Sequence, residues 1–181
     1  GAADSIFPLA IELANKHDKI SIIDTYGNHL KACIEKGPTV LHNNIKELSA
    51  SLGLDLSSEE ARLNLLKELY RKGIRMAFIT DGASPVYASK FDFHYKAIIP
   101  RVKEKDPCGS GDSFTAGIAY GLEESLIFDH SLMTACALGA ANASVWETSA
   151  VSLEQMKEFY DKIEIVPVGK KMKIIDDRPT I

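Results

Sequence analysis

The sequence predicts a single α/β domain, a three-layer, mostly parallel sheet with helices on both faces. Three observations carry this. Short apolar runs such as "KISIID", "TVLH" and "RMAFIT" alternate with longer segments whose apolar residues recur every three to four positions. The runs are near-continuously apolar, as strands buried on both faces must be. The 181 residues, 45% of them hydrophobic, suffice for one core, and no linker, repeat or low-complexity tract divides them.

The elements follow in order. "KISIID" (Lys19 to Asp24) reads as a buried strand bounded by charge, and "GNHLKACIEKG" follows with helical spacing. "TVLH" (Thr39 to His42) is a second strand, and "NIKELSASLG" a helix stopped at Gly53. Ser57 and Ser58 precede "EEARLNLLKELYRKG", where Ala61, Leu65, Leu66 and Leu69 mark one apolar face and Gly73 the end. "RMAFIT" (Arg75 to Thr80) is a third buried strand, and "PVYAS" with "FDFHYKAII" reads as a hairpin. Three helices are expected over 111–122, 129–146 and 152–162. Ligands of such sheets sit at the carboxyl ends of the strands, so the loops after Ile23, Leu41 and Ile79 are the places for a site.

Composition excludes several functions. A net charge of −4 argues against broad non-specific nucleic-acid binding. No apolar run has the length of a membrane helix, and no signal-peptide pattern opens the chain. Cys33, Cys108 and Cys136 are widely spaced and odd in number, which fits a reducing cytoplasm better than a disulfide framework. The five histidines show no metal-ligand spacing. Arg101, Lys103 and Lys105 read as solvated charge, and Trp146 as packing.

One stretch carries chemistry. "KDPCGSGDSFTAG" places Gly109 and Gly111 around a serine where a helix begins, with Asp112 in its first turn. A helix start offers unpaired N–H groups and partial positive charge, which favour an anion, and glycines let it approach the backbone. A tight turn with Asp112 stabilising the helix end explains the same residues, and from the glycines alone both readings stay open. A Walker-type loop is excluded, since no Gly-Lys-Ser/Thr is present. A dinucleotide fingerprint would need a third glycine where Phe114 stands.

The stretch resembles the second signature of the ribokinase-like (PfkB-type) carbohydrate kinases, Asp/Asn-x-x-Gly-small-Gly-Asp followed by a small residue and an Ala-Gly pair, here Ala116 and Gly117. The resemblance implies that Asp112 is the catalytic base and that Gly109, Ser110 and Gly111 form the anion hole for the transferred phosphoryl group. "HNNIKEL" (His42 to Leu48) resembles the family's Asn-x-x-Glu motif. It implies that Asn44 contacts the nucleotide side of the site and that Glu47 holds magnesium through its water shell. The family's usual proline is replaced by Asn43. "FITDG" (Phe78 to Gly82) resembles the strand-end Thr/Ser-x-Gly, implying nucleotide contacts by Thr80 and Gly82, with Asp81 standing where leucine is usual. "LGAANASVW" (Leu138 to Trp146) resembles the helix beside the adenine, implying that Leu138 packs on the base and Asn142 hydrogen-bonds it. "IIDTYG" (Ile22 to Gly27) looks like the phosphosugar branch, the 1-phosphofructokinase and tagatose-6-phosphate kinase type.

The implied function is phosphorylation of a sugar or sugar-phosphate hydroxyl, with ATP as co-substrate and Mg²⁺ as cofactor. Two further readings stand beside it: a nucleotide-binding module without activity of its own, and a ribokinase-like kinase for a nucleoside or pyridoxal-type substrate. Family chains are considerably longer. The resemblance enters midway, on the helix before an interior strand, and the family's N-terminal strands, lid sheet and sugar-binding motifs find no match here. Gly1 and Ala2 read as a cloning remnant. An uncovered sheet edge or apolar face is expected, and with it a homo-oligomer.

Overall fold

The computed structural model describes residues 5–169, so Gly1 and Ala2 lie outside the described residues. In chain order the elements are α1 (Ile6–Lys16), β1 (Ile22–Ile23), α2 (Asn28–Glu35), β2 (Val40–Asn44), α3 (Ile45–Leu52), α4 (Glu59–Arg71) and β3 (Met76–Thr80). There follow β4 (Val86–Lys90), β5 (Phe93–Ile98), α5 (Ser110–Glu123), α6 (Phe128–Ala143), α7 (Leu153–Tyr160) and β6 (Glu164–Val168). The strands lie side by side in sequence order.

The expected α/β class with helices on both faces is what forms. The sheet, however, is mixed rather than mostly parallel. The pairs β1–β2 and β2–β3 are parallel, while β3–β4, β4–β5 and β5–β6 are antiparallel. Loop length explains the direction of β4 and β5. A parallel return needs a crossover of a dozen residues or more. Only residues 81–85 separate β3 from β4, and only Phe91 and Asp92 separate β4 from β5. The parallel part, with its helical crossovers, is the part that builds the site.

Alternation along the strands divides the core in two. Val40, Phe78 and Ala88 point to one face, where Phe114 and Ile118 of α5 and Leu132 and Ala135 of α6 cover them. Leu41, Ala77, Ile79 and Tyr87 point to the other, under Leu30 of α2, Leu48 of α3 and Leu65, Leu66 and Leu69 of α4. Local signals end the helices where the sequence places them. Ser58 caps α4 by accepting from the Ala61 N–H, Gly53 ends α3 at φ +70°, and Ser152 and Gln155 form a reciprocal cap on α7. α6 stops at Ala143, short of Trp146, where the Lys105 N–H donates to the Ala143 carbonyl at 2.7 Å.

Candidate active site

A cleft of about 370 Å³ opens at the carboxyl ends of β1, β2 and β3. Asp24 follows β1; His42 and Asn44 belong to β2; Glu47 lies in α3; Thr80 ends β3 and Gly82 follows it; and residues 109–112 open α5 from across the cleft. The parallel strands thus deliver chain-distant residues to one place, as this sheet type does.

The glycine loop is fixed by its own hydrogen bonds. The Asp106 carboxylate accepts from the Cys108 N–H at 2.9 Å, and the Pro107 carbonyl accepts from the Ser110 N–H at 3.1 Å. Gly109 sits at φ +78°, the left-handed conformation that glycine adopts without a Cβ penalty. The N–H groups of Gly109, Gly111 and Asp112 have no protein acceptor among the described residues, while that of Ser110 is engaged in the turn. The donors open to an anion are therefore those of Gly109, Gly111 and Asp112 itself, with Ser110 contributing at most its hydroxyl. Asp112 is exposed on the same helical turn.

Asn44 and Glu47 make a reciprocal helix cap. The Glu47 N–H donates to Asn44 Oδ1 at 2.9 Å, and the Asn44 N–H donates to Glu47 Oε2 at 3.2 Å. The cap fixes both side chains at the cleft wall, and Glu47 Oε1 keeps no protein partner among the described residues. Asn43, in place of proline, uses its amide to donate to the Thr25 carbonyl at 2.6 Å and so ties β2 to the loop after β1. Asp81 pairs with Arg62 of α4 at 3.3 Å, while Arg62 also donates to the Leu56 carbonyl. Thr80 and Gly82 line the cleft on either side of it.

The α6 side brings other residues to the cleft wall than the two expected. Gly139, Ala140 and Ala143 form its part of the wall, and neither Leu138 nor Asn142 does. Asn142 is 1% exposed. Its amide donates to the Cys108 carbonyl at 2.7 Å and to Ser110 Oγ at 3.0 Å, and its oxygen accepts from the Ser149 N–H at 2.7 Å. Both amide hydrogens are thereby engaged within the protein. The residue holds the glycine loop from behind.

Three residues escaped the sequence reading as site residues: Asp24, His42 and Thr115. His42 Nδ1 lies 2.8 Å from Asp24 Oδ2, and Nε2 lies 3.1 Å from Thr80 Oγ1. The Thr115 hydroxyl donates to the same Asp24 oxygen at 2.9 Å. Burial pushes the Asp24 carboxyl up, but the His42 hydrogen bond and charge, with Thr115, outweigh it and leave its pKa below the ordinary value. The available signal was the aspartate of "IIDTYG" at a strand's carboxyl end.

Magnesium is the cofactor the resemblance implies. No group of three or more His, Cys, Asp or Glu side chains among the described residues could hold a metal ion as a cage. The cleft instead presents oxygen donors on separate elements, Glu47 on α3 and Asp112 on α5. That donor chemistry fits magnesium, which takes few protein oxygens and keeps waters and phosphate oxygens.

Comparison with known proteins places this geometry. The structure is similar to phosphofructokinase-2 from Escherichia coli, solved with potassium, at TM-score 0.82 and 21% identity over 90% of this chain and 53% of that one. It is similar to a "possible 1-phosphofructokinase" from Thermotoga maritima at TM-score 0.80 and 18% identity, over 93% of this chain and 54% of that one. A tetrameric inhibited form of the E. coli enzyme matches at TM-score 0.80 and 21% identity, over 90% of this chain and 52% of that one. At such identities the likeness shows the ribokinase-like fold, and the chain spans about half the length of these enzymes. The sequence pattern described as "pfkB family carbohydrate kinase" matches residues 2–155, and with that match over most of its length the chain belongs to the pfkB family of carbohydrate kinases.

Proposed function

We propose that the chain forms the nucleotide side of an ATP-dependent kinase acting on a hydroxyl of a sugar or sugar phosphate. One observation carries the reading: on the first turn of α5, a carboxylate and unpaired backbone N–H groups stand together in the cleft. The acceptor hydroxyl oxygen attacks the γ-phosphorus, the bond from phosphorus to the bridging oxygen of ADP breaks, and Asp112 takes the hydroxyl proton. The N–H groups of Gly109, Gly111 and Asp112 meet charge developing on the phosphoryl oxygens. Thr80 and Gly82 contact the nucleotide, with Asn44 beside them. Glu47 would hold magnesium through its water shell; the bound ion supplies charge neutralisation at the phosphates. The whole protein's acceptor, its cytoplasmic location and its assembly as a homo-oligomer belong to the same proposal. A tetrameric form of E. coli phosphofructokinase-2 supports the last of these.

The chain itself is expected to bind MgADP weakly, because a chain of about half the length of the enzymes it matches closes less completely around a nucleotide. Calorimetry checks this; no heat at millimolar nucleotide from a chain shown to be folded sinks the nucleotide reading. In the full-length protein, Asp112→Asn is expected to slow phosphoryl transfer by roughly 10²–10⁴, the range of a lost general base. Nucleotide affinity should change little, since the anion donors are backbone groups. An active variant with only a slightly lower melting temperature would make Asp112 a helix-end acid and nothing more.

A further inference from the structure

We propose that Asp24 and His42 are positioning residues of this cleft: Asp24 fixes which ring nitrogen of His42 carries a proton, and His42 sets the Thr80 hydroxyl and seats the turn of α5 that bears Asp112. The ligand's identity rests on the kinase reading above; the arrangement of protons does not.

The argument starts from donors and acceptors. His42 is 3% exposed, so its ring nitrogens must find partners within the protein. Nδ1 faces a carboxylate oxygen at 2.8 Å. Asp24 is held below its ordinary pKa, so it has no proton to give. Thr115 Oγ1 lies 2.9 Å from the same carboxylate oxygen and 3.0 Å from Nδ1, and its single proton serves one of them at a time. A bare Nδ1 would set its lone pair 2.8 Å from an anionic oxygen, a repulsion that a Thr115 proton turned to the ring leaves in place, whereas a proton on Nδ1 lets the ring and Thr115 both donate to Asp24. Nδ1 therefore carries a proton, and Nε2 is the nitrogen left to face Thr80 Oγ1 at 3.1 Å. Thr80 lines the cleft, so the direction of its hydroxyl proton there is decided by His42.

The ring also supports α5. It stacks on Phe114 with centroids 4.8 Å apart and planes 26° from parallel. A Cβ placed on Gly111 would lie 3.5 Å from His42 Cε1, so the first turn of the helix rests against the ring edge. Thr115, one turn on, is tied to Asp24. The ends of β1, β2 and β3 are thereby linked to the helix that presents Asp112 and the free N–H groups. A purely structural contact would stabilise the fold without fixing a tautomer or a hydroxyl direction in the cleft.

Long-range proton–nitrogen NMR of the ¹⁵N-histidine-labelled, ligand-free chain tests this directly, with His42 assigned by its loss in His42→Gln. The expected spectrum shows a proton on Nδ1, and Asp24→Asn releases it so that an Nε2-protonated form with bare Nδ1 appears. A bare Nδ1 in the unaltered chain overturns the proposal. MgADP calorimetry is the second arm. His42→Phe keeps a ring against Phe114 and loses both hydrogen bonds, and should bind roughly tenfold more weakly while still folded. His42→Gln, with its amide where Nε2 stands, should recover part of that loss. Unchanged affinity in a folded His42→Phe overturns the cleft role. Absence of MgADP binding by the unaltered chain overturns the kinase reading together with that role, whereas intact binding with a bare Nδ1 overturns this proposal alone.

Discussion

Gly109 and Gly111 look alike in the sequence, and their surroundings separate them. Gly109 has φ +78°, and an added Cβ would overlap the Thr148 methyl and lie 2.9 Å from Ser149 Oγ. Gly111 has no positive φ, and its Cβ would meet only His42 at an ordinary 3.5 Å. Gly109→Ala should therefore lose about 1–2 kcal/mol of stability from the left-handed backbone, beyond any effect on ligand. Gly111→Ala should fold within about 0.5 kcal/mol of the parent, yet weaken MgADP, because its methyl enters the space in front of the free N–H groups. Urea unfolding and calorimetry on both variants check the pair, and a Gly111→Ala chain that binds normally would remove the anion cradle from that place. These residues were legible because they are contiguous: Gly109, Gly111 and Asp112 share one loop, and Asn44 and Glu47 one helical turn. The Asp24–His42–Thr80–Thr115 network was not legible, since Asp24 and Thr115 stand 91 positions apart and only the packing of α5 on the sheet brings them together. For Asn142, spacing gave a helical face but not a partner; in the structure its amide reaches the glycine loop.

Two elements, α5 and α6, share a seam of small residues that aims the site. A Cβ on Gly117 would lie 2.6 Å from Ala135 Cα and 2.9 Å from its nitrogen, both backbone atoms that cannot step aside alone. Gly117→Ala should force the helices apart and cost about 1–3 kcal/mol, seen as a lower urea midpoint at unchanged slope. Nucleotide affinity should fall with it, because α5 carries Asp112. A variant within about 0.5 kcal/mol of the parent would mean that the helices do not approach this closely. The glycine of the signature's Ala-Gly pair thus has a packing reason beside the chemistry of the loop, while Ala116 is exposed. Strands were harder to read than helices. β6 lies within "IEIVPV", a short run interrupted by Pro167, and a proline argues against a strand. Its place at the sheet edge makes the missing N–H tolerable. β1 was expected over 19–24 and pairs only over Ile22–Ile23. Directions were in principle readable from the short connections around β4.

At the scale of the molecule, the two sheet edges differ in how they are protected. The β6 edge carries Pro167, which blunts further pairing. Among the described residues the β1 edge carries no proline, and apolar side chains are exposed on α1 and on either side of β1. In α1, Pro8 and Ile11 are buried on one side, yet Ile6, Leu9 and Leu13 remain about half exposed, at 50%, 52% and 48%. Ile20 and Tyr26, on either side of β1, are more exposed still. A helix apolar on both sides ordinarily has cover on both, and an exposed apolar surface beside an unpaired strand favours association. The isolated chain is therefore expected to form dimers or larger species through the α1–β1 side. Sedimentation velocity across a concentration series should show a mass that rises with concentration. Leu9→Glu combined with Leu13→Lys, both on exposed positions, should shift the chain toward monomer without lowering its melting temperature by more than a few degrees. The same charges placed at Tyr70 and Phe91, exposed residues from α4 and the β4–β5 turn, should leave the association unchanged. A compact monomer at high concentration, or association indifferent to the α1 charges, would show that this face is stable in water as it stands.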